Sequence, residues 1–161
     1  MIRITLALLA PLLLTGALQA NFSLPHVLSD GMVLQRDKPV RIWGKGEEGA
    51  EIKAWLNGQD GKANVKNGHW SITFEPYEAG GPYDLTIQSP KKTQIIQDVL
   101  IGEVWIAGGQ SNMQWSVSGS IHKEQALSIK ENKHLRVFKQ TRNSSASPQF
   151  DTLYAKWMPS T

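Results

Sequence analysis

Apolar and polar positions alternate in short bursts along much of this chain. Trp70, Ile72 and Phe74 are separated by Ser71 and Thr73. A period of two puts the large apolar side chains on one face of a strand and the hydroxyls on the other. Short apolar or alternating runs recur at Met32 to Leu34, Val40 to Trp43, Ile52 to Leu56, Tyr83 to Ile87 and Gln94 to Ile96. Turn chemistry falls between them, at Asn57-Gly58, Asp60-Gly61, Asn67-Gly68 and Gly80-Gly81-Pro82. Strands of this length and spacing predict an all-β module over residues 21–97, folded as a β-sandwich.

The pattern changes at Asp98. Val99 to Ala107 is an almost unbroken apolar run, rich in Val, Ile and Trp. It predicts a strand buried on both faces. Gly108-Gly109 then lets the backbone turn, which puts Ser111 at the carboxyl end of that strand, where open α/β sheets hold their ligands. Ser120 is placed to cap a helix from Ile121 to about Glu131, with Ile121, Ala126, Leu127 and Ile129 as a sparse apolar stripe. Leu135 to Phe138 predicts a second short strand, and Thr141 to Asp151, with Pro148, a loop. Strand, helix and strand make one β-α-β unit, so residues 98–161 predict the first portion of an α/β domain. One such unit cannot cover both faces of a parallel sheet and leaves its edges unpaired, so the α/β portion is expected to be incomplete.

Residues 1–20 read as a leader rather than as part of the fold. Arg3 supplies the positive start, Ile4 to Leu14 the apolar stretch interrupted by Pro11, and Gly16 to Ala20 a segment ending in a small residue suited to cleavage. The stretch is shorter than the ~20 residues needed to cross a bilayer, which favours a cleaved signal peptide over a retained anchor. The mature protein is then expected to be exported, periplasmic or extracellular, and free of the membrane. The 161 residues hold no cysteine, so disulfides, thiol catalysis and cysteine-held metals are excluded. Lys plus Arg is 17 and Asp plus Glu 14, a formal net charge of +3, and no basic run argues for a nucleic-acid partner. Asn21-Phe22-Ser23 and Asn143-Ser144-Ser145 are glycan acceptors only in a glycosylating secretory pathway.

Ser111 is the candidate nucleophile. An exposed hydroxyl on a rigid turn, with free backbone N–H groups beside it, is the setting acyl transfer requires. The same five residues, Gly109 to Met113, are also an ordinary polar turn. They are not the G-x-S-x-G elbow, because Met113 stands where the second glycine would be. A base must reach the serine oxygen at roughly 3 Å. His122 and His134 are the nearest in sequence, yet no carboxylate is placed to orient either. Without a base the serine is a weak nucleophile. His26 and His69 stand alone beside turns and read as surface or packing residues, not metal ligands. Trp43, Trp55 and Trp70 are candidate sugar-stacking platforms, set against the commoner role of strand tryptophans in filling a core.

Gly109-Gln110-Ser111-Asn112-Met113, preceded by Asp98 to Trp105, resembles the first catalytic block of the sialate O-acetylesterase family, within the SGNH hydrolases. Asp30 to Arg36, Pro39, Trp43-Gly44 and Gly80 to Tyr83 resemble further blocks of that family, in the family's order. The resemblance implies a small β-sandwich ahead of an α/β SGNH-hydrolase (flavodoxin-like) domain. It implies a serine esterase that removes O-acetyl groups from sialic acids or related glycans, without metal or organic cofactor. Ser111 falls on the nucleophile position, and Gly109, Gln110 and Asn112 on the turn that supports it and the oxyanion. The family's oxyanion-hole glycine and asparagine, and its Asp and His, belong to later blocks that do not occur here. The chain is therefore expected to be the N-terminal part of such an enzyme and inactive, or nearly so, alone, unless a second chain carries the missing blocks. The rival reading is a secreted β-sandwich carbohydrate-binding or interaction module in which Ser111 is an inert turn residue.

Overall fold

The computed structural model describes residues 22–128, 132–140, 144–152 and 155–160. The leader and both glycan-acceptor asparagines, Asn21 and Asn143, lie outside the described residues, as does the Ile129 to Glu131 part of the expected helix.

The chain is mostly β-sheet with few helices. Its strands are β1 (Val33–Gln35), β2 (Val40–Lys45), β3 (Glu51–Leu56), β4 (Gln59–Asn64), β5 (His69–Phe74), β6 (Gly80–Ser89), β7 (Lys92–Gly102), β8 (Asn132–Phe138) and β9 (Trp157–Ser160), and its one described α-helix is α1 (Lys123–Leu127). A five-stranded sheet runs in the order β1-β7-β6-β3-β4, and β2 and β5 pair antiparallel in a second sheet. The period of two works as expected. β3 buries Ile52, Ala54 and Leu56, β5 buries Trp70, Ile72 and Phe74, and β2 buries Val40 and Ile42. Both sheets feed one apolar cluster with Leu85, Ile87, Ile96 and Val99. Each such side chain contributes about 1.5–3 kcal/mol by leaving water. Tyr77 joins the cluster and donates its hydroxyl to the Leu56 carbonyl, and burial pushes its pKa up to about 12.

The turns divide into two kinds. Asn57-Gly58 and Asn67-Gly68 are hairpin turns with positive φ throughout, 42° and 81° in the first and 52° and 73° in the second. Asp60-Gly61 is not a turn. Both residues sit inside β4, with Asp60 opposite Trp55 and Gly61 opposite Ala54. Glycine stands there because a Cβ would lie 2.5 Å from Ile72 Cγ2 of the other sheet. Gly80-Gly81-Pro82 is likewise the start of a strand. Its pairing with β7 is irregular between Gly80 and Leu85, and Gly81, at φ 119°, lies against the Val99 carbonyl.

The expected strand from Val99 to Ala107 forms only in its first half. β7 begins at Lys92, crosses the change of sequence pattern at Asp98, and ends at Gly102. Val99, Leu100 and Ile101 are buried, whereas Trp105 is 85% and Ile106 99% exposed. The cause is loss of neighbours. β1 pairs in parallel with β7 as far as Gln35 opposite Gly102, and β6 as far as Gly80 opposite Ile101. Among the described residues, nothing pairs with the chain beyond that point.

The expected β-α-β unit does not form among the described residues. Residues 132–138 are a strand, but β8 pairs antiparallel with β9, Val137 opposite Met158 and Phe138 opposite Trp157. It makes no parallel neighbour for β7. The helix is shorter than expected. Ser120 donates its hydroxyl back to the Val117 carbonyl, and His122, at the position before the helix, makes no side-chain cap. Within the described part of the stripe Ile121 and Leu127 are exposed and Ala126 is half-buried, so packing gives this helix little support. Residues 144–152 run without helix or strand, as expected.

The β8–β9 hairpin is tied to the rest of the protein. Arg136 forks onto Asp98, with Nη1 to Oδ2 at 2.7 Å and Nη2 to Oδ1 at 3.1 Å. Trp157 Nε1 donates to the Val27 carbonyl at 2.8 Å. Asp151 accepts from both the backbone N–H and the ring Nδ1 of His26, at 2.7 and 2.6 Å. Phe150 lies between the Lys45 ammonium and the His69 ring. None of the described helices is long and apolar enough to cross a membrane.

Candidate functional site

Nine positions separate the end of β7 from Ser111, so the serine is not carried on a strand end. Residues 103–109 cross this gap in exposed, irregular backbone. Ser111 opens a short 3-10 turn, Ser111–Gln114, held by Met113 N–H donating to the Gln110 carbonyl at 3.0 Å. Gln110 precedes it in extended backbone and offers no side-chain cap. Gly109 must be small, because a Cβ there would lie 2.6 Å from Met113 Cγ. Asn112 accepts from the Trp115 N–H at 3.2 Å through its backbone carbonyl. The Ser111 and Asn112 N–H groups have no backbone acceptor among the described residues, so they remain available as donors.

Among the described residues no base meets the serine. Its side chain is exposed, and its hydroxyl has no hydrogen-bond partner among the described residues. His122 lies on the surface before α1, in a shallow depression formed by residues 121–125 alone. His134 is exposed on β8 and faces a cavity of about 670 Å³ between the hairpin and the β1–β7 edge. That cavity is lined by Leu100, Val104, Trp105, Leu135, Val137 and Trp157 among others, and reaches Ala107 but not Ser111. The described residues thus present an exposed serine hydroxyl beside free N–H donors, with nothing among them to take the serine's proton.

The other candidates sort by environment. Trp70 is 4% exposed, donates Nε1 to the Lys45 carbonyl and meets Phe22 edge-on, so it fills the core. Trp43 packs partly buried against the same cluster. Trp55 is 40% exposed on the outer face of the five-stranded sheet. His26 pairs with Asp151, and His69 Nδ1 bonds the Asn67 carbonyl at 2.9 Å. Among the described residues no three metal-capable side chains come together.

Residues that steer the chain toward Ser111 carry no catalytic signature; in the sequence they stand only as members of the resembling blocks, with no role of their own. Gln35 accepts from the Val104 N–H through Oε1 at 2.9 Å and donates through Nε2 to Glu103 at 3.3 Å. Asp30 accepts from the Gln97 N–H at 2.8 Å, while Asp98, inside β7 with φ 58°, faces Arg136. A charged residue at the head of an apolar run was the available clue to Asp98. Next to this site, Arg36 rests on Asp37, whose hydrogen bond and charge raise the guanidinium pKa further.

The chain is 30% identical over 159 residues to sialate O-acetylesterase of Homo sapiens, which covers 90% of this chain and 29% of that protein. It is 33% identical over 120 residues to the Mus musculus protein of the same name, covering 67% of this chain and 22% of that one. Its fold matches the crystal structure of a carbohydrate acetylesterase from Xanthomonas citri at a TM-score of 0.82 and 34% identity, over 86% of this chain and 32% of that chain. No protein-family model matches. The chain therefore spans about a third, or less, of the length of these relatives.

Proposed function

Since the chain belongs to the sialate O-acetylesterase family over the part of it that it spans, we propose that it is the serine-bearing portion of an exported carbohydrate O-acetylesterase. The observation that carries this reading is Ser111, exposed at the head of a tight turn beside unpaired N–H groups, within a sequence that aligns with such enzymes along 90% of its length.

In this reaction Ser111 Oγ attacks the acetyl carbonyl carbon while its proton passes to a base supplied from outside the described residues. The Ser111 N–H holds the oxyanion. The sugar oxygen leaves with a proton, and water then attacks the acetyl-serine to release acetate and free the hydroxyl. The substrate is an O-acetylated sugar, with sialic acid the leading case. No metal enters the scheme. Neither His122 nor His134 is the base, so the 161 residues alone are inactive or nearly so.

The accompanying fold reading is a β-sandwich ahead of the start of an α/β hydrolase unit. Exposed Trp105, Ile106, Trp115 and Ile121 support it, because such a run of bared apolar side chains is expected where further structure packs. The unpartnered Ser111 hydroxyl also fits a second reading, a carbohydrate-binding module without catalysis.

The test is acetate release from O-acetylated sialic acid by this chain, and by this chain fused to the remaining length of the Xanthomonas citri enzyme, each with and without Ser111→Ala. Background rates for the chain alone and a Ser111-dependent rate for the fusion are expected. A fusion whose rate survives Ser111→Ala refutes the assignment. An inactive fusion that still folds and binds sugar favours the module.

A further inference from the structure

A polar depression lies where the edges of the two sheets meet. It is shallow, about 390 Å³, sits beside β4 and β5, and is lined by Arg41, Asn64, Lys66, His69 and Ser71, floored by the edge of Trp70. Alternation builds it. Arg41 on β2, and His69 and Ser71 on β5, all point away from the core. The Asn67-Gly68 turn folds Lys66 back beside His69, through paired backbone bonds of 2.8 and 3.0 Å.

The depression is positively charged. No carboxylate lines it. Lys53 and Lys62 face Glu51, Arg36 faces Asp37 and Arg136 faces Asp98. Among the described residues, Arg41 and Lys66 have no such partner. Two cations lining one depression attract an anion, and the guanidinium fork matches a carboxylate in particular.

The neutral groups narrow the ligand. Asn64 and Ser71 both donate and accept. The Asn67 carbonyl can only accept, so His69 Nδ1 donates to it and Nε2 is left to face a ligand. Groups that both donate and accept beside two cations suit a ligand with hydroxyl groups as well as negative charge. Trp70 is too buried to offer a stacking face, so an uncharged sugar gains little here.

We propose that this depression is a non-catalytic subsite for a carboxylate-bearing sugar, held by Arg41 and Lys66 through the carboxylate and by Asn64, Ser71 and His69 through hydroxyls. The sugar class rests on the reading of the chain as part of a carbohydrate esterase. The site itself rests on its own charges and does not require Ser111.

The test is an NMR titration of the 161-residue chain with the methyl glycoside of N-acetylneuraminic acid, its carboxylate free, and with methyl galactoside and a triglutamate peptide, all at millimolar concentration. The acidic sugar is expected to shift the amides of Asn64, Lys66, His69 and Ser71, and the galactoside to leave them in place. Arg41→Gln and Lys66→Gln are each expected to weaken acidic-sugar binding about three- to fivefold, as befits exposed ion pairs. Both side chains are exposed, and unchanged core amides confirm that the variants fold. Equal response to galactoside, no response at these amides, or full affinity in both variants overturns the proposal. An equal response to triglutamate makes the depression a general anion patch and overturns its sugar specificity. None of these results bears on hydrolysis, which the Ser111 comparison reads separately.

Discussion

Replacing Asp98 by Asn should loosen the β8–β9 hairpin and leave the main sheets intact. Arg136 is 8% exposed in its side chain and Asp98 46%. The substitution leaves a nearly buried guanidinium facing a neutral amide. Breaking a fully buried pair costs about 3–5 kcal/mol, because the remaining charge is stranded. A fully exposed pair is worth about 0–1 kcal/mol. With one partner buried and the other half in water, about 2 kcal/mol is the appropriate figure, since water can reach the Asp98 side and share the burden. The pair joins β7 to β8, so the loss falls on docking of the hairpin, where 2 kcal/mol raises the open population roughly 30-fold. Native-state hydrogen exchange reads this directly. Amides of β8 and β9 should exchange roughly 30-fold faster, while those of β3 and β5 hold their rates. Adding Arg136→Met removes the stranded charge, and most of the lost protection should return. The reasoning is refuted if β8 and β9 change less than twofold, if β3 and β5 change equally, or if the double variant exchanges no more slowly than the single one.

Two further outcomes are expected. Gly61→Val should cost about 1–3 kcal/mol by driving a side chain into Ile72, lowering the urea midpoint at unchanged slope; an unchanged midpoint would mean the sheets separate more easily than their packing implies. Burial pushes the Asp151 carboxyl up, but hydrogen bonds from the His26 backbone and ring and from the Thr152 N–H outweigh it and hold the pKa below the ordinary 3.8. The stabilisation is therefore fully present above pH 3.8 and is lost as pH falls through the depressed value. Protease cleavage within residues 144–152 should accelerate there, and a pH-independent rate would show that the contact contributes nothing.

What the sequence disclosed depends on whether the deciding interaction is local. β5 was legible because Trp70, Ile72 and Phe74 announce their own period. Asn57-Gly58 was legible because positive φ is a property of those residues. β4 was not, because Gln-Asp-Gly-Lys-Ala-Asn holds no large apolar residue and is a strand only through its pairing with β3. Gly61 imitated a turn residue while serving a contact between sheets. Ile101 and Ile106 look alike in hydropathy, yet one is in the core and the other in water, because β1 and β6 stop between them. The strand character of β8 was visible from its residues, its partner β9 was not. At the candidate site the serine and its glycine could be read from the motif, whereas Gln35, which steers Val104, reaches it across 69 positions.

The course of β7 limits how this protein can be divided. It lies second in its sheet, between β1 and β6, and its last residues bring Val99 and Ile101 into the core. A gene cut or fused at residue 97, where the sequence changes character, would strip β1 of its only strand neighbour among the described residues and open that core. A viable seam lies beyond Gly102, and beyond Val104 if Gln35 is to keep its partner. Recombination could therefore not have exchanged the β module at the place where its sequence pattern ends. The seven-strand unit has to be inherited with the first residues of the segment that leads to the serine.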